Sequence, residues 1–215
     1  MDRQFESRSE AGRQLAARLD SWMELNPVVI GLTRGGVSVA AEVAGRLRAD
    51  LDALVVRKLA SPGDPEMAIG AIAEGGSVWL VPGAERAVDT TWIRGEIKRQ
   101  EGELHRRMAL LRPAIAPLQV SNRVVIVVDD GVATGATVSA AVLALRVRGA
   151  SSVIVAAPVA SREAARTLAK SADAVVFLIE PEDFMAVGQW YVDFSPVPDE
   201  DVLALLREAR RNIAA

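Results

Sequence analysis

Apolar positions in this chain fall into short β-branched runs separated by stretches with helical spacing. Val28–Leu32, Leu54–Val56, Val124–Asp129, Val153–Pro158 and Ala174–Ile179 are strand-sized and nearly unbroken in apolar character. Such runs predict strands covered on both faces, since a half-exposed strand alternates apolar with polar. Val37–Leu47, with alanines and valines at helical spacing, predicts a helix, as do Thr137–Arg148 and Ser161–Lys170. Phe5, Leu15, Leu19, Trp22 and Met23 predict an earlier helix that Asn26-Pro27 stops. Asp199 is placed to cap a last amphipathic helix through Leu203, Leu206 and Ile213, and Gly149 stands where a helix C-terminal glycine belongs. Ala68–Ala73 and Ser77–Val81 flank Glu74-Gly75-Gly76 as a hairpin. Strands alternating with helices give an α/β fold, a mainly parallel sheet with helices on both faces.

Two segments depart from this rhythm. Residues 85–112 interleave Arg86, Arg94, Lys98, Arg99, Arg106, Arg107 and Arg112 with Glu85, Glu96, Glu101 and Glu103. That is the pattern of a solvated charged helix. Its position before the Val124 strand also suits a mobile cover over an anionic site, with Arg94, Lys98, Arg99, Arg106 and Arg107 as clamps. Residues 180–198 are irregular and hold Phe184, Trp190, Tyr191 and Phe194 in an aromatic-poor chain. They read either as a satellite core or as a ring-stacking surface.

Composition narrows the chemistry. The 215 residues fit one domain, 1–215, and contain no cysteine and one histidine, His105. Disulfide frameworks, cysteine nucleophiles and multi-histidine metal sites are thereby excluded. A net charge of −3 argues against sequence-independent nucleic-acid binding. No apolar run reaches membrane-spanning length, and MDRQFESRSE lacks the apolar core of a signal peptide. The expectation is a cytoplasmic protein with neither nucleic acid nor membrane as partner.

The informative stretch is Val124-Val125-Ile126-Val127-Val128-Asp129-Asp130-Gly131-Val132-Ala133-Thr134-Gly135-Ala136-Thr137. A buried strand delivers two carboxylates to its C-terminal end, where open α/β sheets place ligands. They are expected to face solvent there. Small residues follow, then a helix start whose N–H groups and dipole favour an anion. Thr134 and Thr137 add hydroxyls. Carboxylates for sugar hydroxyls or a metal, beside a phosphate cradle, suit a sugar phosphate. The spacing does not fit a P-loop, the chain has no G-x-G, and a Ser-His-Asp triad could draw only on His105 in the charged segment.

Asp129–Thr137, two acidic residues and then Thr134-Gly135-Ala136-Thr137 after a strand, resembles the phosphoribosyl-pyrophosphate (PRPP) motif of type I phosphoribosyltransferases. Thr33-Arg34-Gly35-Gly36 resembles that family's pyrophosphate loop, and Arg57-Lys58 stands where the family ends a strand with a basic residue near pyrophosphate. FESRSEAGRQLA, TRGGVSVAAEVA, RKLASPGDPEMAIGAI and AVGQWYVDF resemble a bacterial subgroup of the family. The resemblance implies PRPP-dependent transfer of 5-phosphoribosyl to a nucleobase-like nitrogen acceptor with Mg²⁺, Asp129, Asp130, Arg34 and Lys58 being catalytic. Asp129 and Asp130 would hold the ribose hydroxyls and sit near the metal. The backbone of Ala133, Thr134, Gly135, Ala136 and Thr137 would wrap the 5-phosphate, and Gly131 and Val132 would also bind PRPP. Thr33, Arg34, Gly35, Gly36, Arg57 and Lys58 would meet pyrophosphate. A cis or strained Thr33–Arg34 peptide, a flexible insertion at 85–112 and an acceptor hood at 180–198 offering Phe184, Trp190 and Tyr191 are also implied, and a homodimer is compatible. Ala133 replaces the carboxylate that serves a 6-oxopurine, which disfavours that acceptor. A PRPP-binding regulator and an enzyme of another sugar phosphate are the alternatives.

Overall fold

The computed structural model describes residues 5–214, except for the side chains at 65, 66 and 212–214. Ile213, expected on the apolar face of the last helix, therefore lies outside the described side chains. The elements are α1 (Arg8–Ala17), β1 (Val28–Leu32), α2 (Gly35–Leu47), β2 (Asp50–Leu54), β3 (Val56–Ser61), β4 (Asp64–Ala73), β5 (Val78–Leu80), α3 (Ala84–Ala87), α4 (Thr90–Leu111), β6 (Val124–Val128), α5 (Ala136–Val147), β7 (Ser152–Val159), α6 (Arg162–Leu168), β8 (Ala174–Ile179) and α7 (Asp199–Ala214).

Five strands form a parallel sheet in the order β2-β1-β6-β7-β8. Burial on both faces is why β1, β6 and β7 are nearly unbroken apolar runs, whereas β2, DLDAL, carries Asp50 and the buried Asp52. Val28 and Ile30 of β1 face a cluster with Val138 and Leu145 of α5 and Leu168 of α6. Val29 faces the opposite cluster, which holds Leu15 of α1, Val43 of α2, Leu104 of α4 and Leu206 of α7. The antiparallel sheet β3-β4-β5 adds Ala71 and Ala73 of β4 to the first cluster. The α/β expectation is met, with this second sheet as its appendage. No helix among the described residues is long and apolar enough to cross a membrane.

Several local expectations need correction. The first helix stops at Ala17 and is followed by a 3-10 turn, Asp20–Leu25, that ends at Asn26 with φ 47°. Phe5 lies outside both, bridged to Tyr191. The Leu54–Val56 run is divided between two sheets, because the Val55 carbonyl accepts the Glu74 N–H at 2.8 Å and the hairpin captures the chain. Arg57 and Lys58 therefore lie within β3 and do not end β2. The charged segment is helical as its pattern predicts. Ile93, Leu104 and Leu111 are buried, while Arg94, Lys98, His105 and Arg106 are exposed.

Arg112 belongs to neither side of that helix. Its guanidinium donates to both Glu74 carboxylate oxygens at 2.7 Å, to Asp52 Oδ1 at 3.0 Å and to the Ala53 carbonyl at 2.7 Å. Asp52 Oδ2 also accepts the Leu118 N–H at 2.9 Å. The group joins β2 of the parallel sheet, the hairpin turn after β4 and the chain leaving α4. Asp52 and Glu74 are buried, so removing the cation strands two carboxylates. Arg112→Met is expected to lower unfolding free energy by about 3–5 kcal/mol, read from urea denaturation. A loss below about 1 kcal/mol, the size of an exposed pair, would contradict this assignment.

Candidate functional site

The strand order brings two loops together. Gly31 of β1 is in register with Val128 of β6, so the chain leaves both carboxyl ends side by side. After β1, Thr33 N–H donates to the Leu54 carbonyl at 3.2 Å, the Thr33–Arg34 peptide is cis as the resemblance implied, and Gly35 opens α2. After β6, Asp129 N–H donates to the Ala156 carbonyl at 3.3 Å. Val132 bridges to Ala160, and Ser161 Oγ donates to the Ala133 carbonyl at 2.6 Å, which fastens the loop to the end of β7. Gly131 packs against Val187, where a Cβ would clash. Gly135 adopts φ 77° as the N-cap of α5, and Ala136 and Thr137 form that helix's opening turn. Thr134 Oγ1 accepts the Ala136 N–H at 3.4 Å, and Ala133 and Thr134 are exposed. The opening turn of a helix leaves backbone N–H groups without partners inside the helix.

Those aspartates do not face solvent as expected: both are partly buried, and the Asp130 side chain keeps 16% of its surface exposed. Asp130 Oδ2 accepts Arg8 Nε at 2.7 Å, and its backbone carbonyl accepts the Tyr191 hydroxyl at 2.5 Å. Asp129 Oδ1 accepts the Asp130 N–H at 3.0 Å. Burial, and next the negative charge of Asp130, push the Asp129 carboxyl well above its usual range. Burial also raises Asp130, while the Arg8 hydrogen bond opposes it. Burial and the nearby carboxylates raise the Tyr191 phenol, which stays a hydrogen-bond donor.

Behind the Thr33–Gly36 loop lies a small cavity with a polar end and an apolar wall. Thr33, Arg34, Arg107 and Asp199 form the polar end, and Val55 and Leu111 lie in the wall. Asp199 Oδ1 stands 4.0 Å from Arg34 Nη1 and 3.9 Å from Arg107 Nη1. Asp199 is the first residue of α7, not its cap, and its carboxylate meets two cations. Thr33 Oγ1 and Arg107 Nε are buried without a hydrogen-bond partner. Burial, and next the charge of Arg107, hold the Arg57 guanidinium below its usual range. Arg57 Nε donates to Gln100 Oε1 at 3.1 Å, and Lys58 follows it, partly exposed.

Of the basic residues on α4, Arg107 alone among the described residues lines this cavity. Arg99 pairs with Glu96 at 2.8 Å and Arg106 with Glu103 at 2.9 Å, each within the helix. Burial pushes the Glu96 carboxyl up, but hydrogen bonds from Arg99, Gln100 and the Ala60 N–H outweigh it and hold the carboxyl below its usual range.

The aromatic segment is largely turned inward. Tyr191 is buried between Phe5, ring centroids 5.4 Å apart, and Phe194, stacked at 5.1 Å. Trp190 is also buried, and Phe184 packs on the same cluster half-buried. Trp190 and Tyr191 thus present no open ring face, which favours the satellite-core reading over stacking. Sequence reasoning missed Arg8, the Tyr191 hydroxyl contact and the Asp199 carboxylate. Each meets the site through contacts far apart in the chain. Among the described residues no group of three or more His, Asp or Glu side chains could hold a metal by itself.

The chain matches the phosphoribosyl transferase domain family over residues 6–195 and belongs to it. It is 42% identical over 212 residues to proteins named "Putative phosphoribosyl transferase" in two Mycobacterium tuberculosis strains. That match covers 98% of this chain and 48% of those proteins, so the chain spans about half the length of these curated relatives. It is also similar to the crystal structure of TT1426 from Thermus thermophilus, with a TM-score of 0.82 and 46% identity, covering 95% of this chain and 98% of that one.

The electrostatics carry a stability prediction. The folded-state pKa of Asp129 lies above its unfolded value, so the folded state holds the proton more tightly. This contribution to stability is full below about pH 4 and is lost as pH rises through the raised value. Asp129→Asn removes the buried charge and is expected to raise Tm, by more at about pH 8 than at about pH 5. Thermal melts at both pH values check this, and an equal or lower Tm at the higher pH contradicts it.

Proposed function

We propose that this domain transfers the 5-phosphoribosyl group of PRPP to a nucleobase-like nitrogen acceptor, releasing pyrophosphate. The observation that carries the reading is the contact between two loops at adjacent strand ends. One offers two carboxylates and a helix start, the other Arg34 and two glycines. In this reading Asp129 and Asp130 accept hydrogen bonds from the ribose hydroxyls. The Ala133–Thr137 turn donates backbone N–H groups to the 5-phosphate. Arg34, with the N–H groups of Gly35 and Gly36, receives pyrophosphate, and Arg57 and Lys58 add positive charge from β3. Positive charge grows on the sugar ring as the anomeric C–O bond breaks, and the acceptor nitrogen takes that carbon. The protein's part is to position both partners, neutralise the leaving group and exclude water.

Mg²⁺ suits this donor set, because it prefers substrate phosphates and water with one or two carboxylates over an all-protein cage. Bound with pyrophosphate, it would offset the leaving group's charge. Arg107 is the α4 cation placed to join Arg34 on the same anion, with Asp199 as the internal carboxylate that the anion displaces. Orphaned Thr33 Oγ1 and Arg107 Nε, together with an arginine cluster that depresses Arg57, support an anion there.

A panel of nitrogen bases, assayed for PRPP- and Mg²⁺-dependent pyrophosphate release, tests the activity. PRPP binding without release for any base would favour the regulator, and ribose 5-phosphate binding as tightly as PRPP would favour another sugar phosphate. Asp130→Asn is expected to weaken PRPP binding roughly tenfold or more by calorimetry, the loss of a charged hydrogen bond of about 1.5–3 kcal/mol. It also unpairs Arg8, so a lower Tm should accompany the loss. Arg107→Ala should lower kcat more than it weakens PRPP binding, whereas Arg99→Ala and Arg106→Ala should stay within about twofold of the parent. Equal effects from all three would remove Arg107 from the site.

A further inference from the structure

Arg8 occupies a position its own helix disfavours. It is the first residue of α1, after the Ser7 cap, where the dipole repels a cation. It is nonetheless nearly buried, with 12% of its side chain exposed, and its guanidinium is engaged at its edge and its face. Nε donates to Asp130 Oδ2 at 2.7 Å, and Nη1 donates to the Ser195 carbonyl at 2.8 Å. Its Cζ lies 3.9 Å from the centroid of the Phe194 ring, which stacks on Tyr191, and the Tyr191 hydroxyl returns to the Asp130 carbonyl. Asp130 is therefore gripped at both its carboxylate and its backbone by a circuit through α1 and residues 191–195. The gripped carboxylate sits where a Cβ on Gly35 would lie, against the first turn of α2.

Resting on the donor-site reading above, we propose that Arg8 is the positioning residue of the ribose subsite, acting through Asp130. Asp129 meets the Asp130 N–H, the Asp130 carboxyl and a share of the Arg8 charge, whereas Asp130 takes the Arg8 guanidinium directly and is the more firmly fixed of the two. Arg8 leaves one Asp130 oxygen for a sugar hydroxyl and fixes the direction in which it points. Lysine could keep the charge but could not bind Asp130 and the Ser195 carbonyl together while stacking on Phe194. Because the same guanidinium holds Ser195 and Phe194, the segment that would cover the acceptor is tied to the carboxylate that holds the donor.

The test measures binding of PRPP, ribose 5-phosphate, 2-deoxyribose 5-phosphate and pyrophosphate, each with Mg²⁺, by calorimetry. The chains compared are the parent, Arg8→Ala, Arg8→Lys, Asp130→Asn and the Arg8→Ala/Asp130→Asn pair. Arg8→Ala is expected to weaken PRPP and ribose 5-phosphate about tenfold while pyrophosphate changes less than about twofold. The parent's preference for ribose over deoxyribose should shrink in the same variant. Arg8→Lys should recover part of the loss, and Arg8→Ala should cost nothing further on the Asp130→Asn background. A merely structural role would weaken all four ligands alike and add to Asp130→Asn. Either result, or parent-like ribose preference in Arg8→Ala, overturns the proposal. If Arg8→Ala fails to fold, Arg8→Lys decides, because a parent-like ribose preference in that variant also overturns it. A parent that binds pyrophosphate but neither PRPP nor ribose 5-phosphate overturns the donor-site reading, and this role with it.

Discussion

A Cβ on Gly36 would stand 2.7 Å from the Val128 carbonyl and 2.9 Å from the Asp129 carboxylate, and one on Gly35 would meet the Asp130 carboxylate itself. The candidate site depends on that missing atom. Parallel strands β1 and β6 are neighbours, so the loops that follow them compete for the same space. Two residues without side chains resolve the competition and let the start of α2 lie against both aspartates. Any larger residue would have to move the carboxylates, the helix or the strand register. The apolar packing on the two faces of the sheet resists the last two.

Within that contact the charges are arranged for a ligand more than for the fold. Two adjacent carboxylates share a buried place, and one arginine serves them through a single Asp130 oxygen. On the far side of the Thr33–Gly36 loop the imbalance reverses. Arg34 and Arg107 each stand about 4 Å from Asp199, and the charge of Arg107 also reaches Arg57. Uncompensated charge of either sign costs stability when water is excluded. Contrast the Arg112 group, where two carboxylates and a carbonyl satisfy one guanidinium at 2.7–3.0 Å. The same chain builds a closed ion cluster where it needs a joint and leaves charge open at the loops. That difference is the physical ground for taking the loops as the candidate site.

The fold is legible in the sequence because its signals are local. Val124–Val128 and Val153–Val159 are apolar in a row since each faces a helix layer on either side. Asp129 to Thr137 announces a strand, a tight loop and a helix within a few residues, and Gly135 has the positive φ that the turn requires. The long-range partners are not legible. Arg8 and Asp130 are separated by 122 positions, Tyr191 and Asp130 by 61, and Arg112 and Asp52 by 60. In the sequence Arg112 is one more cation in a charged run, and nothing local distinguishes it from Arg106, whose partner is three residues away. Arg57-Lys58 is misplaced for a related reason. An apolar run reports burial, and Leu54 and Val56 are both buried, but in different sheets. The arginine at the start of α1 stands where a helix prefers an acid, but Arg162 opens α6 in the same way, so that local signal does not single Arg8 out.

The second sheet and α4 acquire their purpose from the same accounting. β3 carries Arg57 past the end of the parallel sheet, and Gln100 of α4 accepts a hydrogen bond from it, so its guanidinium is held beside Arg107. Glu96 anchors the helix to β3 through the Ala60 N–H, and Arg112 anchors its exit to β2 and the hairpin. Between these anchors one turn of α4 faces Asp199 and the loop after β1. The appended sheet and the charged helix thus bring two arginines to one side of a loop whose other side carries two carboxylates. The loop therefore offers positive charge on one side and hydrogen-bond acceptors on the other, the complement that the proposed donor, with its anionic end and hydroxylated ring, requires.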